Sequence, residues 1–135
     1  MRVAMDANAL MLPVEQNLRL FEELDVLVGD YEGVVPQSVR DELSELAAGN
    51  GETAKAASVA ADLADRCDTV ETEESYADDA LHALAAGGDV DAVATNDGPL
   101  KGRVLDAGAP VASGVYRTRL IVGGDVLSRS MTLAE

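Results

Sequence analysis

Short apolar runs and stretches of helical periodicity alternate along most of the chain. Residues 2–5 contain an apolar run that predicts a buried first strand, and this run ends at Asp6. Between residues 14 and 27, apolar side chains recur every three or four positions, which predicts one helix that ends by Gly29. Residues 33–36 predict a second strand. The chain therefore begins as strand, helix and strand.

Strands and helices continue to alternate as far as residue 112. Ser38 and Asp41 have the spacing of a capping box, which predicts that a helix begins at Ser38. Apolar spacing predicts further helices over residues 52–67, 77–85 and 100–105, and further strands over residues 69–72, 92–94 and 110–112. Because parallel neighbouring strands need a crossover connection, this order predicts an α/β fold with a small parallel sheet flanked by helices.

The last twenty residues have a different pattern. Residues 116–122 and 126–131 have the composition of two strands, and the glycines between them predict a β-hairpin. The length of 135 residues and the hydrophobic fraction of 47% are typical of one domain. We therefore expect a single domain over residues 1–135, with a core over about 1–113 and a C-terminal hairpin over 114–135.

Acidic residues outnumber basic ones by 25 to 10, which gives a net charge of -15 and a pI near 4.2. This balance excludes the broad basic surface of a protein that coats DNA. Lysine is scarce, and alanine, valine, aspartate and glutamate dominate, a bias that we interpret as the adaptation of a halophilic archaeon. In molar salt the Debye length falls to about 3 Å, which screens such a charge. Most of the acids are therefore expected at the surface.

Cysteine and histidine each occur once, so the chain offers neither an internal disulfide nor a structural zinc site of the usual Cys and His ligands. No apolar stretch approaches the roughly 20 residues that span a bilayer. We expect a cytoplasmic protein with no membrane association. A metal ion, if bound, would be held by oxygen atoms.

Several acids stand apart from this acidic background because they follow predicted strands. Ligands of open α/β sheets bind outside the carboxyl ends of the strands. Asp6 follows the first strand directly, Asp97 follows the strand at 92–94, and Glu42 lies about one turn into the helix after the second strand. Each of these acids, taken alone, could also be a helix cap or a solvated residue. Together they indicate a candidate site.

Two adjacent acids, Asp78 and Asp79, open the helix that follows the third strand. Asp78 lies three residues before Leu81 and so nearer the apolar face of that helix, whereas Asp79 points almost the opposite way. Acids gathered at one site repel each other, and this repulsion is relieved by divalent cations such as Mg²⁺ or Mn²⁺, which prefer carboxylate oxygens. Two such ions can activate a water molecule and stabilise the leaving oxygen of a phosphodiester.

The order of these acids and their flanking residues resembles the PIN-domain ribonucleases, over residues 1 to about 113. The segments that carry the resemblance are Asp6-Ala7-Asn8-Ala9-Leu10, Val35-Pro36 followed by Glu42, Tyr76-Ala77-Asp78-Asp79-Ala80-Leu81, and Ala94-Thr95-Asn96-Asp97. The last two are especially similar to the archaeal and eukaryotic members that cleave small-subunit rRNA precursors. Ala7 departs from the family pattern, which has threonine there, and so lacks a hydroxyl that would hydrogen-bond across the site.

The resemblance implies a metal-dependent endoribonuclease that uses Mg²⁺ or Mn²⁺. Carried over residue by residue, it implies that the catalytic, metal-binding acids are Asp6, Glu42, Asp78 and Asp97. Asp79 is the alternative third acid. Asn8 and Thr95 are expected to orient the acids.

The resemblance also implies an RNA substrate and frequent homodimers. Basic residues that could contact RNA phosphates concentrate near the C-terminus: Lys101, Arg103, Arg117 and Arg119. They could equally balance charge on an acidic surface. Processing of rRNA or other RNA, with a ribosome-assembly partner, is the favoured function. A VapC-type toxin with an antitoxin partner and a catalytically silent RNA- or protein-binding module are the alternatives.

Overall fold

The computed structural model describes residues 1–17, 19–116 and 119–123, with side chains described as far as residue 112. Its strands are β1 (Arg2–Met5), β2 (Glu32–Pro36), β3 (Asp68–Val70), β4 (Ala92–Ala94), β5 (Val111–Tyr116) and β6 (Arg119–Gly123). The helices in these ranges are α1 (Ala7–Glu15), α2 (Leu20–Val28), α3 (Gln37–Ala47), α4 (Gly51–Ala64), α5 (Ala77–Ala86) and α6 (Gly98–Asp106).

The strands form one sheet in the order β3-β2-β1-β4-β5-β6. The first five strands of this order are parallel, and β6 pairs antiparallel with β5. At the centre, Val3 of β1 pairs with Gly33 of β2 on one side and with Ala92 of β4 on the other. The predicted α/β fold, a parallel sheet flanked by helices, is therefore confirmed.

The buried residues of the central strands β1 and β4 form uninterrupted apolar runs, as is typical of a parallel sheet with helices on both faces. Residues 3–5 of β1 and all three residues of β4 are fully buried. A parallel arrangement brings the carboxyl ends of these strands to one edge of the sheet, and the chain leaves each strand there to enter the next helix. Among the described residues, no helix is long and apolar enough to cross a membrane.

Helix α4 presents a face of small side chains to its neighbours. Ala56, Ala57, Ala60 and Ala64 are at most 1% exposed, and the helix packs against both α1 and α3. Because the distance between packed helices depends on the side chains at the contact, alanines let these helices approach closely. Helices α1 and α3 begin at the carboxyl ends of β1 and β2, so α4 sets the spacing of the elements that follow both strands.

The single helix predicted over residues 14–27 is wrong. Helix α1 begins at Ala7, directly after β1, because the Asp6 side chain accepts a hydrogen bond from the Ala7 amide and caps the helix. It ends at Glu15, and Asn17 adopts a positive φ of 53° before α2 begins. The apolar spacing runs on across this break, which is why periodicity alone predicts one helix.

The capping box predicted at Ser38 is also wrong. Helix α3 begins at Gln37 with Pro36 as its N-cap, and no side chain caps it. Ser38 therefore lies inside the first turn, and its buried Oγ has no hydrogen-bond partner among the described residues.

The C-terminal pattern agrees only in part with the prediction. Tyr116, predicted to open a hairpin strand, instead ends β5, which extends beyond the predicted 110–112. Strand β6 pairs with β5 at residues such as Ala112, opposite Val122. The predicted second hairpin strand over 126–131 lies outside the described residues.

Candidate active site

Asp6 lies where β1 ends and α1 begins. Its amide donates a hydrogen bond to the Ala94 carbonyl at 2.9 Å, which continues the pairing of β1 with β4 beyond the last strand residue. The side chain turns inward to cap α1, with Oδ1 2.8 Å from the Ala7 nitrogen, and the residue is only 3% exposed. The end of β1 thus holds a buried carboxylate.

A small polar network surrounds the second oxygen of this carboxylate. The Thr95 hydroxyl donates to Asp6 Oδ2 at 2.7 Å, and the Asn8 side-chain amide donates to the same oxygen at 3.1 Å. Asn8 Oδ1 in turn accepts a hydrogen bond from the Asn96 amide at 2.8 Å. The residues that follow β1 and β4 are therefore tied together through side chains.

Asp97 ends the same network. Its amide donates to the Thr95 hydroxyl at 3.0 Å, so this hydroxyl is an acceptor from Asp97 as well as a donor to Asp6. Asp97 is the N-cap of α6, and its Oδ1 accepts a long hydrogen bond of 3.5 Å from the Leu100 amide. Like Asp6, Asp97 caps a helix and lies at the carboxyl edge of the sheet.

Glu42 and Asp78 face these two acids from α3 and α5. Burial raises the pKa of Glu42, and the charges of Asp6, Asp78 and Asp97 raise it further. Burial likewise raises the pKa of Asp78, followed by the charges of Asp6 and Asp97. For Asp6, burial raises the pKa against the opposing effect of the Thr95 hydrogen bond. All four acids singled out from the sequence thus interact with one another at one edge of the sheet.

Asp79 has a different environment from Asp78. Its carboxylate forms a 3.0 Å ion pair with Arg103 of α6, and both side chains are close to half exposed. Arg103 also lowers the pKa of Asp78, which partly offsets the effect of the acids around it. Both side chains nevertheless line one cleft and both interact with Arg103, so these contacts do not support the nearly opposite directions predicted for Asp78 and Asp79.

A cleft of about 540 Å³ opens beside Glu42 and Asp78. Arg103 is the one basic side chain among its lining residues in the described part of the chain. Its remaining lining is acidic or small, apart from one aromatic ring: Ser38, Asp41, Glu45, Ser75, Tyr76, Ala77 and Asp79.

The four acids have the right chemistry for a divalent cation. They offer carboxylate oxygens, the ligands preferred by Mg²⁺ and Mn²⁺, and their mutual repulsion would be relieved by positive charge. However, no group of three Asp, Glu, His or Cys side chains within the described ranges is arranged to hold an ion as the side chains stand. The donor set therefore fits such a cation, and the carboxylates would have to draw closer to bind it.

The basic residues expected to contact phosphate are only partly described. Arg103 is exposed at the cleft, and Lys101 lies two residues earlier on α6, half-buried. Arg117 lies outside the described residues, and Arg119 begins β6 with a side chain that lies outside them too.

Ser38 and Tyr76 are among the cleft residues that were not sequence candidates. Ser38 lies four residues before Glu42 and so on the same face of α3, a spacing that could have indicated it. Tyr76 directly precedes α5 and is 73% exposed. Its position two residues before Asp78 could have indicated that it lies beside the site.

Most of the chain is similar to known proteins. A family model described as a PIN-like domain matches residues 3–117. The solved structure of the PIN domain endonuclease Utp24 matches with 26% identity and a TM-score of 0.72, covering 92% of this chain and 95% of that chain. The solved structure of VapBC2 from Rickettsia felis, bound to a DNA fragment from the VapBC2 promoter, matches with 10% identity and a TM-score of 0.60. This second match covers 84% of this chain and 98% of the other, and it concerns the fold alone. No curated protein sequence matches significantly.

Proposed function

The chain belongs to the PIN-like domain family, and from this premise we propose that it is an endoribonuclease that hydrolyses RNA phosphodiesters with Mg²⁺ or Mn²⁺. It has the PIN nuclease fold, which it shares with the endonuclease Utp24 over nearly the full length of both chains. The observation that carries the proposal is the mutual interaction of Asp6, Glu42 and Asp78 with Asp97 at the carboxyl edge of the sheet.

In this proposal the four acids hold the metal ions. Bound ions would supply the activation of water and the stabilisation of the leaving oxygen. Thr95 and Asn8 keep the Asp6 carboxylate in one orientation through their hydrogen bonds to Oδ2. Helix α6 is anchored by the Asp97 cap, which keeps Arg103 beside the cleft.

We propose that the substrate is RNA undergoing processing, with rRNA as the favoured target. Two segments support this choice, residues 76–81 and 94–97, which resemble family members that cleave small-subunit rRNA precursors. In the cell, a ribosome-assembly protein would be the expected partner. The toxin alternative predicts an antitoxin partner instead, and the fold likeness to VapBC2 does not favour it because that likeness concerns the fold alone. A homodimer is proposed on the family resemblance.

Lys101, Arg103, Arg117 and Arg119 are proposed to contact RNA phosphates. Arg103 has the strongest support because it lines the cleft. Arginine can bind a phosphate through two parallel hydrogen bonds, which suits a fixed position beside the reacting group.

The proposal is tested by incubating labelled structured RNA with the full chain in molar KCl, with Mn²⁺ and with EDTA. We expect cleavage by the wild type with Mn²⁺ only, and none by Asp6→Asn. Cleavage of equal rate by Asp6→Asn would identify a contaminating nuclease and contradict the proposal. RNA binding without cleavage under every metal condition would support the catalytically silent binding module. That alternative is considered because Ala7 stands where the family pattern has threonine.

The third acid is tested in the same assay by two matched variants. We expect Asp78→Asn to abolish cleavage because its carboxylate faces Asp6 and Asp97. Asp79→Asn should reduce cleavage by only about 10- to 100-fold, as is typical of a residue that acts through a neighbour. The reverse result would assign the third acid to Asp79. Neither variant should melt at a lower temperature than the wild type in EDTA, so that lost folding is not mistaken for lost chemistry.

A further inference from the structure

Tyr76 is an unusually exposed aromatic residue. At 73% it has the largest exposure of any large hydrophobic side chain in the described part of the chain. Its ring lines the cleft that contains Glu42 and Asp78. Its side chain makes no capping hydrogen bond to α5, so the exposure is not explained by a role in starting that helix.

The charge of the cleft makes this ring significant for RNA binding. Within the described part of the chain, Arg103 is the one basic lining residue, against five acids: Asp41, Glu42, Glu45, Asp78 and Asp79. With one basic residue among its described lining, this cleft can neutralise few phosphates and release few of their counterions. Contacts that do not depend on charge then gain importance for RNA binding in this cleft. Stacking of a nucleobase on an aromatic ring is such a contact, and it tolerates any base.

Asp79 pairs with Arg103, the one cationic group that lines this cleft among the residues that the structure describes. The Arg103 Nη1 to Asp79 Oδ1 distance is 3.0 Å, and the pair is close to half exposed. An exposed ion pair contributes little to folding. It does hold a flexible side chain in one place, next to Asp78 and in the same cleft as Tyr76.

We propose that Tyr76 stacks on an unpaired nucleobase beside the scissile phosphate, and that Arg103, positioned by Asp79, binds a phosphate of the same nucleotide segment. This inference rests on the proposed ribonuclease function. Tyr76 is then a specificity-determining residue, because a base already stacked inside a duplex cannot present its face to the ring. Asp79 is a positioning residue that acts through Arg103.

The stacking role is tested with Tyr76→Ala, Tyr76→Phe and a control, Val26→Ala, which removes an exposed apolar side chain of α2 away from this cleft. The substrate is a short unpaired RNA whose cleavage site has first been mapped. We expect Tyr76→Ala to raise KM by about 5- to 100-fold with little change in kcat. Tyr76→Phe keeps the ring and should behave like Val26→Ala and the wild type. Equal KM values for Tyr76→Ala and Tyr76→Phe would overturn the inference.

A modified substrate locates the contact. An RNA that lacks the base next to the scissile phosphate should raise the KM of the wild type but leave the KM of Tyr76→Ala unchanged, because the contact is already lost. Independent, additive effects of the two changes would contradict stacking at this position. The same RNAs are also measured by fluorescence anisotropy with unmodified and Tyr76→Ala protein. If the chain binds RNA with a Tyr76-dependent affinity but does not cleave it, the proposed function fails and the stacking site stands.

The positioning role is tested by a double-mutant cycle of Asp79→Asn and Arg103→Gln. Each change alone should raise KM, and Asp79→Asn should have no further effect once Arg103 has been replaced. Arg103→Lys should restore part of the loss because it keeps the charge without the two-pronged geometry. An Asp79→Asn effect of the same size in both backgrounds would show that Asp79 acts without Arg103.

Discussion

The Thr95 hydroxyl joins the two most central acids of the site: it donates to Asp6 Oδ2 at 2.7 Å and accepts from the Asp97 amide at 3.0 Å. Thr95→Val keeps the branched shape of the side chain but removes both hydrogen bonds. We expect it to lower kcat/KM by about 10- to 100-fold, the usual effect of a group that orients a metal ligand.

Thr95→Ser is the matched control because it retains the hydroxyl. It should cleave RNA nearly as fast as the wild type and reach half-maximal activity at the same Mn²⁺ concentration. Wild-type activity in Thr95→Val would show that the Asp6 carboxylate keeps its orientation without this hydrogen bond.

Glu42 provides a prediction about pH. Burial and the nearby acids raise its pKa above the ordinary value of 4.5. A carboxyl group whose pKa is higher in the folded chain stabilises the fold while it is protonated, and this contribution is lost as the pH rises through the folded pKa. In EDTA at about pH 7, Glu42→Gln should therefore melt at a higher temperature than the wild type.

The difference in melting temperature should shrink as the pH falls towards 4.5, where the wild-type side chain becomes neutral as well. Glu52→Gln removes an exposed glutamate of α4 and controls for the general loss of one negative charge. Identical pH profiles for the two variants would mean that Glu42 senses only the overall charge of the protein.

Metal binding should stabilise the folded chain, because a ligand that binds only the native state adds a free energy of RT ln(1 + [L]/Kd). We expect Mn²⁺ to raise the melting temperature of the wild type and to raise that of Asp97→Asn much less. Asp62→Asn, at an exposed position of α4, should respond like the wild type. Equal shifts in all three proteins would indicate ions that bind the acidic surface in general.

Salt should have a large effect on stability. The net charge of -15 opposes the compact state by self-repulsion. Lowering KCl from about 1 M to about 0.1 M lengthens the Debye length from about 3 Å to about 10 Å and exposes this repulsion. Chemical unfolding across this range should give a steadily falling free energy of unfolding. A constant value would contradict the interpretation of the composition as halophilic.

Much of the fold follows from local patterns. The apolar runs of β1 and β4 predict these strands with the bounds that the structure shows, because residues 3–5 of β1 and all of β4 are buried and apolar. The break between α1 and α2 could not be predicted in this way. It depends on the backbone at residues 16–17, while the apolar spacing continues across it.

The candidate site was likewise predictable from the sequence only in part. Asp6 and Asp97 could be selected from the sequence because Asp6 directly follows β1 and Asp97 follows β4 after two residues. The ion pair of Asp79 with Arg103 could not, since it joins two helices whose relative position is set by packing. The exposure of Tyr76 was equally invisible, because an aromatic residue beside an apolar helix is as easily buried as solvent-facing.

The alanine face of α4 links tolerance to mutation with activity. Helix α1 follows Asp6 and helix α3 carries Glu42, and both rest on this third helix, which lies outside the cleft lining. A leucine at Ala57 would require its neighbours to move outward to accommodate the added volume. The protein could remain folded after such a change while its carboxylates were drawn apart. The small size of the α4 side chains therefore matters both for the stability of the fold and for the proposed activity. A substitution in this helix can reduce that activity although it changes no residue that touches RNA or metal.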